Sequence, residues 1–360
     1  MRRKQPLVSI CIPNYNYGHY LRHCIESVIN QTYENIEILV QDNNSSDDSY
    51  DILMEYEEQS RHGQISKFIN VARNKQNVGS DRNCTLLFNK AEGKYLMYLS
   101  SDDALKPDMV ERCVGILENN QDVSMVMVHR DEIDENGNLK KTVPFYDRSF
   151  VASGESQAAV FMMAGIAVPS QVFVRTAAVR QTYSFRNYSF QVAGDWYANF
   201  CYSLVGDIGY IHDALCEYRV HTGNETSESE KRLLGVFEHY VLINAFRTTA
   251  ETVGYQECID RYPAAVAHLA PMCLRYAMSM IRDHEFNAAK RYLYLAPVFS
   301  ENIKEDERYD KLWEIVRHEG QEEEAELIKA FDEKYSLVRT KSYEPPKVFW
   351  PIDEQGKIVM

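Results

Sequence analysis

No C-x-x-C pair occurs in the 360 residues, although cysteines stand at 11, 24, 84, 113, 201, 216, 258 and 273. Most of them sit in apolar stretches. That scatter argues against a structural zinc or a disulfide framework and reads as reduced, buried thiols of a cytoplasmic protein. Neither G-x-G-x-x-G nor G-x-x-x-x-G-K-[ST] is present, so a dinucleotide fold or a P-loop would lack its phosphate cradle. Positive charge is also short: 39 Lys and Arg face 53 Asp and Glu, a net charge of −14. A general nucleic-acid binder needs a basic face, so this charge argues against one, while one local basic pocket for a diphosphate is not excluded. Long apolar runs are missing too. The longest nearly uninterrupted one, Ala158 to Pro169, falls short of the ~20 residues that span a bilayer. Behind the basic Met1-Arg2-Arg3-Lys4, the apolar stretch Leu7 to Pro13 is short and has no small-residue cleavage site, so no secretory signal is expected. Residues 282–293 look like part of a helical-hairpin repeat, but no second copy supports a repeat array.

What is present is ordinary globular composition, 45% apolar and 26% charged, in a chain long enough for two or three domains at roughly 150 residues each. The first 130 residues alternate strand-like and helix-like segments. Leu7 to Ile12 is a strand-length apolar run, and Leu21, Cys24, Ile25, Val28 and Ile29 then recur on one helical face. Ile36 to Gln41, Ile65 to Val71, Lys94 to Leu99 and Val123 to His129 read as further strands. Ser45-Ser46-Asp47 offers capping chemistry to a helix over 50–59, and Pro107 opens another. This alternation predicts a doubly wound, mostly parallel α/β sheet. Ser170 to Arg175 and Ile208 to His212 read as strands, Asp195 to Leu204 as a helix, and Lys231 to Tyr335 as helical throughout. Between Glu301 and Lys334, 13 acidic and 6 basic residues suggest a solvated helix face. The expected domains are 1–228, split into a nucleotide-binding half (1–103) and an acceptor half (104–228), an all-helical region (229–340) and an extended tail (341–360).

Open α/β sheets bind ligands beyond the carboxyl ends of their strands. The loops there carry Pro13-Asn14-Tyr15-Asn16, Asp42-Asn43-Asn44-Ser45-Ser46-Asp47, Asn74 with Asn77-Val78-Gly79-Ser80-Asp81-Arg82-Asn83, and Ser100-Ser101-Asp102-Asp103. Four such clusters at equivalent sheet ends suit a nucleotide with a diphosphate. Asp42 can accept from a base N–H or a ribose hydroxyl, and Asp102 and Asp103 suit a hard divalent cation. Without a phosphate cradle, a metal is the natural neutraliser of a diphosphate in so acidic a chain, with Arg82 assisting.

Val8-Ser9-Ile10-Cys11-Ile12-Pro13-Asn14-Tyr15-Asn16, Asp42 to Asp47, Asn77-x-Gly79-x-x-Arg82-Asn83 and Gly93 to Asp103, in that order, resemble the family 2 glycosyltransferases. Their fold is GT-A. The resemblance runs on through Ser170 to Arg175, Gly194-Asp195-Trp196 and Tyr218-Arg219-Val220-His221, about residues 6 to 228. It implies an inverting enzyme that moves a sugar from a nucleotide-diphospho-sugar, a UDP-sugar for preference, to a hydroxyl of a carbohydrate or glycolipid acceptor. Pro13, Tyr15 and Asp42 would line base and ribose, and Asn16, Asn77 and Arg82 would complete the donor site. Asp102 would lie near ribose or sugar, Asp103 and His221 would hold Mn2+ or Mg2+, and Asp195 would be the base. Ser100 and Gly194 stand where the family often has acidic residues. The Q-x-x-R-W motif of processive synthases is absent, which implies single additions.

Blander roles compete. Asp42 and Asp47 suit a turn and a cap, Asp102-Asp103 a cap, Asp195 a helix start, and Asn77 and Arg82 a loop. The competing functions are a catalytically silent GT-A scaffold acting through its helical third, and a nucleotidyltransferase. The second would want a glycine-rich basic loop near the N-terminus, which Pro13 to Gly18 does not provide. The helical third is expected to complete the acceptor site or to mediate self-association or docking to a partner glycosyltransferase. The expected location is the cytoplasm, with room for association at the inner face of the membrane.

Overall fold

The computed structural model describes residues 5–182, 190–221, 233–335 and 341–359. β1 (Val8–Asn14), α1 (Gly18–Ile29), β2 (Ile36–Asp42), α2 (Ser49–Arg61), β3 (Phe68–Arg73), α3 (Ser80–Phe88) and β4 (Tyr95–Tyr98) alternate as the periodicity predicts. The four strands pair in parallel in the order β4-β1-β2-β3. Every residue of β2 is buried, because helices cover both faces of a parallel sheet and leave no polar side. α1 turns Leu21, Cys24, Ile25 and Val28 into that core.

The second half is mixed. It comprises β5 (Ala104–Leu105), α4 (Met109–Asn119), β6 (Val123–Ile133), β7 (Leu139–Lys140), β8 (Phe150–Ala152), α5 (Gly154–Phe161), β9 (Val172–Arg175), α6 (Thr176–Gln181), α7 (Gly194–Ser203) and β10 (Asp207–Arg219). β9 runs antiparallel to both β4 and β6, whereas β10 runs parallel to β6. β10 extends well past the expected His212. Register shifts around Ala214 keep it paired with β6 through exposed polar positions that look like a strand end.

Among the described residues, five α-helices follow: α8 (Leu234–Val253), α9 (Gln256–Arg282), α10 (Phe286–Phe299), α11 (Glu307–Arg317) and α12 (Glu324–Lys334). They share one apolar core with the sheet, in which Met125, Phe161, Trp196 and Phe200 join Phe246, Leu269, Tyr292 and Leu312. Among the described residues α9 alone is long and apolar enough to cross a membrane, by length and composition, and 56% of that window is buried inside the fold. Sequence runs miss it because exposed charged residues such as Arg275 interrupt the apolar run. The acidic stretch is largely exposed, and it is tied by ion pairs such as Lys290–Glu319 at 2.9 Å.

The C-terminal residues form a strap. β11 (Phe349–Pro351) pairs antiparallel with β8 and closes that edge of the sheet. Further on, Asn120 Nδ2 on the far side of α4 donates to the Gly356 carbonyl at 2.7 Å.

Candidate active site

Strand register sets Asn14, Asp42 and Arg73 abreast at the carboxyl ends of β1, β2 and β3. Asp42 is fully buried. Its Oδ1 accepts from Asn14 Nδ2 at 3.1 Å and Ser45 Oγ at 2.5 Å. Its Oδ2 accepts from Ser45 N at 3.1 Å and lies 3.3 Å from Arg73 Nε. Every lone-pair direction of this carboxylate is therefore spent on holding two loops. Asn16, at φ 57°, clamps the same loops: its N–H donates to Ser45 Oγ at 2.9 Å, and its Oδ1 accepts from Ser46 N at 2.8 Å. Asp47 accepts from Gly18 N at 2.9 Å and Ser49 N at 3.1 Å, so it serves the starts of both α1 and α2. Asn77 accepts from Asn43 Nδ2 and from Gly79 N, both at 2.9 Å, and so shapes the turn into α3. Pro13 is half-buried, Tyr15 is exposed, and Arg82 is exposed on the first turn of α3. The rim thus has an inner frame of Asp42, Asn16 and Asn77 and an open face with Tyr15 and Arg82.

The acidic pair lies deeper. β5 pairs with β10 through Ala104 and Glu217, which lays Asp103 against the end of β10. There the Arg219 N–H donates to Asp103 Oδ1 at 2.8 Å. The Arg219 side chain is buried: Nε donates to the Asp102 carbonyl at 2.9 Å, one terminal nitrogen to the Asp134 carbonyl at 2.7 Å, and the other lies 3.1 Å from His23 Nδ1. Its guanidinium also lies 4.3 Å over the Tyr20 ring. His221 Nε2 is 3.2 Å from Asp102 Oδ2, and the ring rests against Tyr17 and Tyr20. Burial, helped by the charge of Asp102, pushes the Asp103 carboxyl up to about 7. Asp103 Oδ2 is buried and makes no well-aligned hydrogen bond among the described residues, although the Ser170 hydroxyl is near enough to draw the carboxyl's pKa down.

That orphaned oxygen is the observation on which a cation fits. Among the described residues no three His, Cys, Asp or Glu side chains gather to hold a metal unaided. Mg2+-type ions need less from the protein, since one or two carboxylates with substrate phosphates and water suffice.

Asp195 stands in the first turn of α7, half-buried, its Oδ1 accepting from the Trp196 N–H at 2.7 Å. The helix is anchored behind it by Trp196 Nε1, which donates to the Phe161 carbonyl at 2.8 Å, and by Asn199 Nδ2, which donates to the Ala167 carbonyl at 3.0 Å. Desolvation pushes Asp195 up to about 6 and outweighs the backbone N–H groups that pull it down. At Gly194 a side chain would meet nothing within 4 Å, so the missing acidic neighbour leaves open space.

Tyr218 lies within electrostatic reach of all of these groups. Its hydroxyl is raised by burial and also feels the charges of Arg130, Asp103, Asp102 and Asp195. The sequence gives Arg130 no motif, and it gives Arg219 a place in the Tyr218-Arg219-Val220-His221 segment without a role. Arg130 lies 4.0 Å over the Tyr218 ring, donates to Gln171 Oε1 at 3.2 Å, and lends positive charge to both Asp103 and Asp195. Its position past the apolar part of β6 was the one available signal.

Residues 9–180 match the family model described as glycosyl transferase family 2. An uncharacterized glycosyltransferase of Nostoc sp. is 29% identical over 265 residues, 70% of this chain and 78% of the relative. One from Haemophilus influenzae is 29% identical over 227 residues, 62% of this chain and 68% of the relative. Chondroitin synthase of Escherichia coli is 34% identical over 154 residues, which is 42% of this chain and only 21% of that much longer protein. Among solved structures, residues 1–349 of S. aureus TarS in complex with UDP-GlcNAc superpose with a TM-score of 0.53 at 14% identity, covering 94% of this chain and 98% of that one. That likeness extends through the helical region and bears out the GT-A fold with a helical C-terminal part.

Proposed function

We infer, from the match of residues 9–180 to the glycosyl transferase family 2 model, that the chain transfers a sugar from a nucleotide-diphospho-sugar to an acceptor hydroxyl with inversion. The observation that carries this is the acidic pair at the carboxyl end of the sheet, Asp103 held by the Arg219 N–H at 2.8 Å and Asp102 3.2 Å from His221, with Asp195 and Arg130 acting on the same Tyr218 hydroxyl. A UDP-sugar is the favoured donor, and the binding of UDP-GlcNAc and UDP by TarS supports it. Likeness to a chondroitin synthase supports an acceptor in polysaccharide or glycolipid assembly, and the missing Q-x-x-R-W motif supports single additions. Eight free cysteines, seven of them buried, support the cytoplasm, either free or at the inner face of the membrane.

In this mechanism Tyr15 and Pro13 flank the base, while Asp42 holds the two loops that shape its pocket. Arg82 at the rim draws in the diphosphate. Asp195 takes the proton of the acceptor hydroxyl, whose oxygen bonds to the anomeric carbon as the bond to the diphosphate breaks on the opposite face. A carboxyl raised to about 6 is ionised at neutral pH yet more basic than an exposed aspartate, and such a base contributes about 10²–10⁴-fold. Asp103 and His221, with Asp102 beside them, would hold Mn2+ or Mg2+, which when bound neutralises charge on the leaving diphosphate. Arg130 lends positive charge to both Asp103 and Asp195.

The test is release of nucleoside diphosphate from UDP-, GDP- and dTDP-sugars with Mn2+ and a panel of glycan acceptors. Turnover by the wild type that drops at least a hundredfold in a folded Asp195→Asn variant supports the reading. Binding without turnover would turn it toward the silent scaffold, and pyrophosphate release from a nucleoside triphosphate toward nucleotidyl transfer.

A further inference from the structure

The three residues leading into α7 aim their backbone N–H groups at a single carboxylate. Gln191 N donates to Glu238 Oε1 at 2.7 Å, while Val192 N and Ala193 N donate to Oε2 at 2.7 and 3.2 Å. These donors belong to the cap residue Ala193 and the two residues before it, ahead of the helical hydrogen-bond ladder. Ala193 has no side-chain oxygen with which to cap the first turn. Glu238 instead ties down the chain that leads into it, from 45 residues downstream. Its negative charge also lies at the positive end of the α7 dipole.

Glu238 belongs to the first turns of α8, in the helical region, and α8 grips α7 at successive points. The ring of His239 lies edge-on to Trp196 at 5.2 Å, and burial lowers its pKa to about 4, so it packs there as a neutral group. Two turns on, Phe246 stacks on Phe200 at 4.1 Å. Trp196 directly follows Asp195, so α8 holds the base-bearing turn from both sides: Glu238 before it and His239 after it.

We propose that Glu238 is a positioning residue for the transfer reaction: it fixes the entry into α7, and with it the aim of the Asp195 carboxylate. On this reading, which rests on Asp195 as the base, the helical region is a working part of the active site as well as a packing partner. Side chains that orient a reacting group typically cost about 10–100-fold when altered, and small misplacements of a base cost as much.

The experiment compares wild type, Glu238→Gln, Glu238→Ala and Glu251→Gln, the last an exposed ion-pair residue elsewhere on α8. Steady-state kinetics with the nucleotide-sugar donor and amide hydrogen exchange across 190–203 are both recorded. The expected result is a kcat lowered about 10-fold or more in Glu238→Gln and further in Glu238→Ala. The donor KM should stay within about twofold, exchange at Val192 and Ala193 should speed up, and Glu251→Gln should behave as wild type. A structural role alone would lower the melting temperature and leave kcat per folded molecule intact. Wild-type kcat in Glu238→Gln overturns the positioning role while the transferase reading stands. No turnover by the wild type overturns both, and unchanged exchange in Glu238→Gln removes the geometric basis independently of activity.

Discussion

The Arg219 N–H donates to Asp103 Oδ1 at 2.8 Å across 116 residues of sequence. The last residue of β10 thus holds the second acidic residue after β4. The same arginine's side chain reaches the Asp102 and Asp134 carbonyls and His23, so one buried guanidinium ties Asp102, the turn after β6 and α1 together while its backbone N–H holds Asp103.

Replacing that guanidinium tests the relationship. An ammonium cannot reproduce the planar fork, and Arg219→Lys leaves at least one of those carbonyls unpaired in the interior. The expected cost is about 1–3 kcal/mol, read as an earlier urea midpoint. Nucleotide affinity should fall as well, because the Asp102 backbone loses its tether. An unchanged midpoint together with unchanged affinity would contradict the role.

The pH dependence has a definite sign. Asp195 must be ionised to accept a proton, so kcat/KM should fall about tenfold per pH unit below about 6. Stability moves the other way. A carboxyl raised by burial binds its proton more tightly in the folded state, so its contribution is full below its unfolded value and is lost as pH rises through about 6. Between about pH 4 and 6 this group thus gains activity and loses stability together. Asp195→Asn should abolish its share of the stability slope, measured by denaturation across that range against wild type.

The strap makes a third prediction. Gly356 has φ 76°, a left-handed backbone conformation, and a Cβ there would come within 2.6 Å of the Ile116 side chain and 2.8 Å of its backbone nitrogen. Gly356→Ala therefore should lift the last residues off α4. Limited proteolysis should cut 341–359 faster than in wild type, with the sheet edge at β8 exposed.

How much was legible in the sequence follows from how local each signal is. Leu21, Cys24, Ile25 and Val28 announce α1 by spacing alone, and β1 to β4 follow from short apolar runs between capping loops. Asp102 and Asp103 stood out because a strand end and two carboxylates are adjacent in sequence. Asp42, Asn16 and Asn77 look like ligand groups there, yet the structure shows them bonded to neighbouring loops, since Asn and Asp serve turns as well as ligands. Arg130 and Glu238 act through tertiary contacts to residues far away in the chain and no local motif marks them, while Arg219 stands in the Tyr218-Arg219-Val220-His221 segment whose spacing says nothing of its partners. β11 escaped for the same reason: its partner β8 lies about two hundred residues earlier.

The most direct test of the central claim is calorimetric titration of UDP with and without Mn2+, on wild type and Asp103→Asn. Asn keeps an oxygen for the Arg219 N–H and removes a buried charge, so the variant should be at least as stable as wild type at pH 8, which separates lost binding from lost folding. The account predicts that UDP binds wild type only with Mn2+ and that Asp103→Asn loses this metal-dependent binding. UDP binding of equal strength in both proteins, indifferent to Mn2+, would contradict it.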